Sequence, residues 1–179
     1  DLLSVHLQIM LNQGRYDDAE ELYRRTLEQK RRVLGEDDPS TLVTAGNLVI
    51  ALCELGRITE AEPLARRTLE HRQRVLGEDH EETLSSALNL ATIYIQQGRY
   101  EEAEPMLVKS LETYVRKLGE ERPETLTAMH ALAYLYRDQE RYEEAEPLFV
   151  KALRIGRRIE GENHPKTLHT MGSLAEMYH

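Results

Sequence analysis

"RYEEAEPMLVKSLETYVRKLGEERPETL" spans Arg99 to Leu126, and "RITEAEPLARRTLEHRQRVLGEDHEETL" spans Arg57 to Leu84 in the same register. The step between them is 42 residues, and the rest of the chain keeps it. Gly35, Gly77, Gly119 and Gly161 are separated by that step, as are Gly14, Gly56 and Gly98. So are Thr41, Thr83, Thr125 and Thr167, and likewise Ala19, Ala61, Ala103 and Ala145. Self-similarity of this kind marks a tandem array whose units bury their apolar faces against one another.

The apolar spacing inside a unit is helical. Leu84, Leu88, Ala91 and Tyr94 make one stripe, and Ala103, Leu107, Leu111, Tyr114 and Leu118 make another, so each unit holds two helices. The first closes at "QQGRY", where Gly98 can take the left-handed conformation that ends a helix, and the second closes in the same way at Gly119. Pro39, Pro123 and Pro165 fall where the next first helix begins, a position with no amide bond to lose, and Glu81 stands in their place in the third unit. Pro63, Pro105 and Pro147 lie about one turn into the second helix, where at most about one helical bond is lost, so the helix continues through them. Ala61, Ala103 and Ala145 on the second helices, and Ala91, Ala133 and Ala175 on the first, are small where two axes must approach closely. The marks predict nine helices in units 1–37, 38–79, 80–121 and 122–163, with a last first helix in 164–179.

Composition bounds the function. Charged residues make up 31% and the formal net charge is −9, which argues against a general nucleic-acid binder or an anionic membrane surface, since both need a basic stripe. No apolar run approaches the ~18 residues of a membrane helix. Cys53 is the only cysteine and fits a reducing compartment, so the cytoplasm is the expected location. The chain opens without an initiator Met, within an amphipathic pattern, and reads as a segment of a larger protein.

"NLATIYIQQGRYEEAEPMLVKSL" (Asn89 to Leu111) resembles the tetratricopeptide repeat throughout. The 42-residue step and the inserted "LGEDHEETL" connection resemble the subtype found in kinesin light chains. The resemblance implies an all-α fold, an α-solenoid in which antiparallel helix pairs form a right-handed superhelix. It also implies that the first helices line a concave face that holds peptides, often through asparagines that bond the ligand backbone. That asparagine falls on Asn47 and Asn89, while the later equivalents are Ala131 and Ser173 and the earlier one is Val5.

Other inward positions vary from unit to unit. Val43, Gly46, Ile50, Cys53 and Glu54 line one section; Ser85, Leu88, Thr92, Ile95 and Gln96 line the next; Thr127, His130, Tyr134, Arg137 and Asp138 line the third; His169, Gly172 and Glu176 line the last. An aliphatic ligand residue is expected near Ile50 and Ile95, and a hydrogen-bonding or acidic group near His130, Tyr134 and Arg137. The bland alternatives are that the asparagines satisfy polar groups between helices and that the third section is a solvated face with one packed ring.

His164 and His169 are five residues apart, off the i, i+4 step that aims two imidazoles at one metal, so no metal site is expected. His80 and His164 share a repeat position and read as loop or capping residues. The basic runs at Lys30–Arg32 and Arg66–Arg74 are flanked by acids and read as solvated, salt-bridged helix faces. With no phosphate loop and no nucleophile with its base, neither an enzyme nor a cofactor is expected. The reading is a scaffold that binds an extended peptide or a partner's helix in its groove. The alternatives are self-stacking through repeat ends bearing Leu3, Leu7, Met171, Leu174 and Tyr178, and an autoinhibitory sensor region attached to a nucleotide-driven switch.

Overall fold

The computed structural model describes residues 15–177, and within them every regular element is an α-helix. The helices are α1 (Tyr16–Leu34), α2 (Pro39–Glu54), α3 (Ile58–Leu76), α4 (Glu81–Gln96), α5 (Tyr100–Leu118), α6 (Pro123–Asp138), α7 (Tyr142–Ile159) and α8 (Pro165–Met177). The helix expected before Gly14, with Leu3, Val5 and Leu7, lies outside the described residues, as does Tyr178. No described helix is long and apolar enough to cross a membrane.

The described helices fall into two compact units, one ending at Gln96 and the other beginning at Gln97. In the first, α1 to α4 each pack mainly on the next in sequence, and α2 also touches α4. In the second, α6 packs on α5 and α7, and α7 on α8. Each unit is thus built of antiparallel helix hairpins, the architecture of an α-solenoid.

Local chemistry sets the boundaries. Gly35, Gly77 and Gly119 follow the second helices with φ of 91°, 87° and 89°, and Gly56 and Gly98 follow the first helices with φ of 70° and 72°. At the position equivalent to Gly56 and Gly98 stands Glu140, with φ of 59°. Its turn keeps the bonds of the glycine turn: Arg141 N–H donates to Tyr136 C=O at 2.8 Å, as Arg57 N–H donates to Leu52 C=O at 2.8 Å.

Pro39, Pro123 and Pro165 are the first residues of α2, α6 and α8. Asp38 caps α2 by accepting from Ser40 N–H at 2.9 Å and Thr41 N–H at 3.3 Å. In α4, which starts without a proline, His80 Nδ1 accepts from Glu82 N–H at 3.2 Å, the capping role its position suggests. Pro63, Pro105 and Pro147 sit inside unbroken helices.

The second helices open instead on arginine. Arg57 and Arg141 each bridge the carboxylate three residues on, Glu60 at 2.7 Å and Glu144 at 2.6 Å, and each also reaches back one repeat, to Glu20 at 3.2 Å and Glu104 at 2.7 Å. Ala19, Ala61, Ala103 and Ala145 are fully buried, as are Ala91 and Ala133, whereas Ala175 on α8 is exposed. In the second unit the core forms two clusters, Leu126–Met129–Ala152–Ile155 and Ala133–Ala145–Phe149–Leu174.

Candidate functional site

A helix buried on one side leaves a stripe at i, i+4, i+7 and i+11 facing outward. On α2 that stripe is Val43, Asn47, Ile50 and Glu54; Ile50 is 39% exposed and Asn47 half-buried. On α4 it is Ser85, Asn89, Thr92 and Gln96, with Asn89 half-buried, Thr92 and Gln96 exposed, and Ile95 half-buried beside them. Thr92 turns its hydroxyl back to Leu88 C=O at 2.9 Å. Two inward expectations are corrected: Leu88 is buried in the core, and Gly46 is buried against Arg72. Their positions are one step round the helix from the exposed stripe.

Asn47 is the polar neighbour of the Tyr23 hydroxyl. Burial pushes Tyr23 above the ordinary phenol range, and Asn47 offsets part of that push. The buried Tyr23 hydroxyl itself makes no hydrogen bond among the described residues.

The second unit gathers its candidates more tightly. Thr127, His130 and Tyr134 of α6 and Pro165, Lys166 and His169 of α8 line a cleft of about 480 Å³. The Tyr134 ring lies 5.4 Å from His169, 6.2 Å from His130, and edge-on to Phe149 at 5.1 Å. Arg137 covers the Tyr134 ring at 4.9 Å, held by Asp138 at 2.8 Å and the Ser173 hydroxyl at 3.3 Å. Burial raises the Tyr134 phenol, against a bond to Ser173 and the charge of Arg137.

His130 takes one defined form. The Thr170 hydroxyl donates to Lys166 C=O at 2.8 Å, so its oxygen accepts, and Nε2–H of His130 donates to it at 2.8 Å. Burial lowers the His130 pKa to about 4, helped by Lys166 and His169, so at neutral pH the ring is an uncharged donor. The structure thus brings His130, Tyr134, Arg137, Asp138 and His169 together, while Asn47, Ile50 and Glu54 lie on α2 and Asn89, Thr92, Ile95 and Gln96 on α4.

Lys166 and Pro165 are cleft residues that the outward pattern alone does not find. A signal was available: the repeat positions equivalent to Lys166 are Ser40, Glu82 and Glu124, so the charge reverses only in the last copy.

A second departure concerns Arg72. The run from Arg66 to Arg74 is in part the solvated face expected, with Arg66 bridged to Glu62, Arg67 to Glu36 and Arg74 to Asp37. Arg72 is 6% exposed and donates inward to Glu82 C=O at 3.0 Å, the Ser86 hydroxyl at 2.7 Å and Leu42 C=O at 3.3 Å.

His164 and His169 have separate surroundings: His164 Nδ1 is 3.1 Å from the Glu160 carboxylate, whereas His169 faces Tyr134. Cys53 is half-buried, and burial together with Glu54 pushes its thiol up to about 11.

The family model for the tetratricopeptide repeat matches residues 8–67, 40–114, 86–155 and 124–179. Among solved structures, a Podosopora anserina kinesin-light-chain candidate with nearly identical TPR-like repeats is 24% identical, with a TM-score of 0.79 over 98% of this chain and 83% of that one. BtubC (BKLC) from P. vanneervenii is 25% identical, with a TM-score of 0.81 over 98% of this chain and 70% of that one. No curated protein matches.

Proposed function

Because the chain belongs to the tetratricopeptide repeat family, whose repeats mediate protein–protein interaction, we propose that it is a non-enzymatic scaffold holding an extended peptide or a partner's helix on its first helices. The observation that carries this reading is the cleft between α6 and α8. It combines an aromatic wall, a neutral histidine and the Lys166 cation in about 480 Å³, with Arg137 over the Tyr134 ring beside it. Pockets that bind small segments of a partner have this make-up, an apolar body with a few placed polar groups.

Recognition would divide along the chain. Ile50 and Ile95 offer aliphatic contact, and Asn47 and Asn89 offer amides for a ligand backbone. The second unit offers Tyr134 and His169 for stacking, with Lys166 for a carboxylate. Such a wall needs little reordering to bind, since its positions sit on helices.

The test is a screen of the purified chain against a diverse peptide library, with each hit repeated on Asn89→Ala and on Tyr134→Ala/His169→Ala. Hits weakened about tenfold or more by the second variant, with melts unchanged, support the cleft. Hits that ignore both variants place binding elsewhere.

A further inference from the structure

The first helices α6 and α8 carry the same apolar residues in the same register. Leu126, Met129, Leu132, Ala133 and Tyr136 are matched 42 residues on by Leu168, Met171, Leu174, Ala175 and Tyr178, the last of which lies outside the described residues. No other two first helices agree at all five positions: α2 and α4 have Ala45 and Ala87 in place of the methionine, and differ from each other at Val49 and Ala91.

The two matching faces differ in what covers them. On α6 the face is the seat of α7: Ala152 and Ile155 pack with Leu126 and Met129, and Ala145 and Phe149 pack with Ala133. Leu126 and Met129 are each 1% exposed as a result, and Ala133 is fully buried. Among the described residues no helix follows α8 to do the same. Leu168 is 49% exposed and Ala175 is exposed, while Met171 is half-buried with the Arg157 guanidinium 3.8 Å from its sulfur. Leu174 is buried, because it packs into the Ala133–Ala145–Phe149 cluster of its own unit. Leu168, Met171 and Ala175 follow the i, i+3, i+7 step on a side of α8 away from Lys166 and His169, so this stripe is separate from the peptide-binding cleft proposed above.

What such a face accepts is visible in the same unit. α7 is an amphipathic helix with Ala145 where the axes approach, Phe149 one turn on, and Ala152 and Ile155 on the turns that follow. We propose that the open face of α8 is a docking site for a partner protein's amphipathic helix of this type, seated on Leu168, Met171 and Ala175 as α7 is seated on Leu126, Met129 and Ala133. The partner's helix would add one layer to the array. Its alanine lets the two axes come within about 8 to 10 Å, and the covering of Leu168 and Met171 supplies affinity. A bulky residue in place of that alanine holds the helix off, and an acid in place of the aliphatic residue that meets Leu168 and Met171 leaves a buried charge unpaired.

The experiment uses the whole chain with labelled leucine and methionine methyl groups. The probe is an amidated peptide with the sequence of Tyr142–Ile159, and its controls carry Ala145→Leu or Ile155→Glu. The expected result is a set of methyl shifts at Leu168 and Met171, with binding weakened about tenfold or more in either control. Leu168→Glu in the whole chain, at a position half open to solvent, should abolish these shifts with the melt unchanged. Absence of shifts at Leu168 and Met171 overturns the proposal, as does binding undiminished in the Ile155→Glu peptide or in the Leu168→Glu chain. Shifts at Leu126 and Met129 instead would mean that the probe displaces α7 from its own seat, which also refutes the site. Light scattering of the chain alone over a concentration series covers the remaining source: self-association that Leu168→Glu removes would assign the face to a second copy and overturn the partner reading.

Discussion

Arg72 lies across the open face of Gly46: a Cβ built on that glycine would stand 3.4 Å from Nη2 of the arginine. The second unit reverses the sizes. The equivalent of Gly46 is His130, and the equivalent of Arg72, two copies on, is Gly156. In both units the large member reaches a hydroxyl on the next first helix, Ser86 for Arg72 and Thr170 for His130, each in the same repeat position. One seam is thus bridged from a second helix and the other from a first helix.

Loss of the Arg72 bridge should be costly. Arg72→Ala leaves the Ser86 hydroxyl without its donor and opens a void beside Gly46, so unfolding free energy should fall by about 2–4 kcal/mol. Gly46→Ala meets the guanidinium at van der Waals distance and gains helix propensity, so it should be neutral or stabilising by up to about 1 kcal/mol. Urea denaturation of the two variants checks both signs, and equal losses would refute the seam.

Glu140 occupies a backbone conformation that L side chains adopt at a cost of roughly 1–2 kcal/mol. Glu140→Gly should therefore raise stability by about 1 kcal/mol, part of the relief being offset by greater freedom of the unfolded chain. Gly56→Glu should lower it by a similar amount. Thermal melts of the pair decide this, and a Glu140→Gly protein that melts lower would contradict the reading.

The partly buried His130 imidazole makes stability depend on pH in a known direction. Folded His130 takes its proton only at about pH 4, whereas the unfolded chain takes it near the ordinary value of 6.5. Between these values the unfolded chain binds more protons, so stability falls as pH drops from about 6.5 toward 4, by on the order of 2 kcal/mol from this group. His130→Gln cannot titrate, so its loss of stability between pH 7 and pH 4.5 should be smaller than that of the parent chain. Equal losses would show that His130 is not protonation-restricted in the fold.

Burial also governs Cys53. With its thiol pushed up to about 11, the thiolate at pH 8 is roughly a hundredfold scarcer than for an exposed cysteine, and alkylation by iodoacetamide should slow in proportion. Denaturant should restore the ordinary rate. A native rate near that of a free thiol would refute the shielding.

What the sequence revealed and what it hid divide along a physical line. Helix ends were legible because Gly35, Gly56 and Pro39 act on their own backbone, and the outward stripes were legible because they follow helical periodicity. Arg72 was not: it stands among Arg66, Arg67 and Arg74, and only a glycine 26 residues earlier, on another helix, makes room for it. The cleft at His130 was half legible, since His130, Tyr134 and Arg137 share one helix face, while Lys166 joins them only by the packing of α8 on its neighbours.

The arginines that open α3 and α7 reach back to Glu20 and Glu104, carboxylates at the same place in each repeat. Each of these arginines thus pairs with a carboxylate of the preceding copy, and Arg15, Arg99, Glu62 and Glu146 keep the same residue types at the equivalent positions. A stretch of 42 residues duplicated or lost by recombination would leave no such pair with mismatched halves. Array length can then change in a single genetic event while the new junction keeps its charge pairing from the first generation, leaving selection to act on the outward side chains alone.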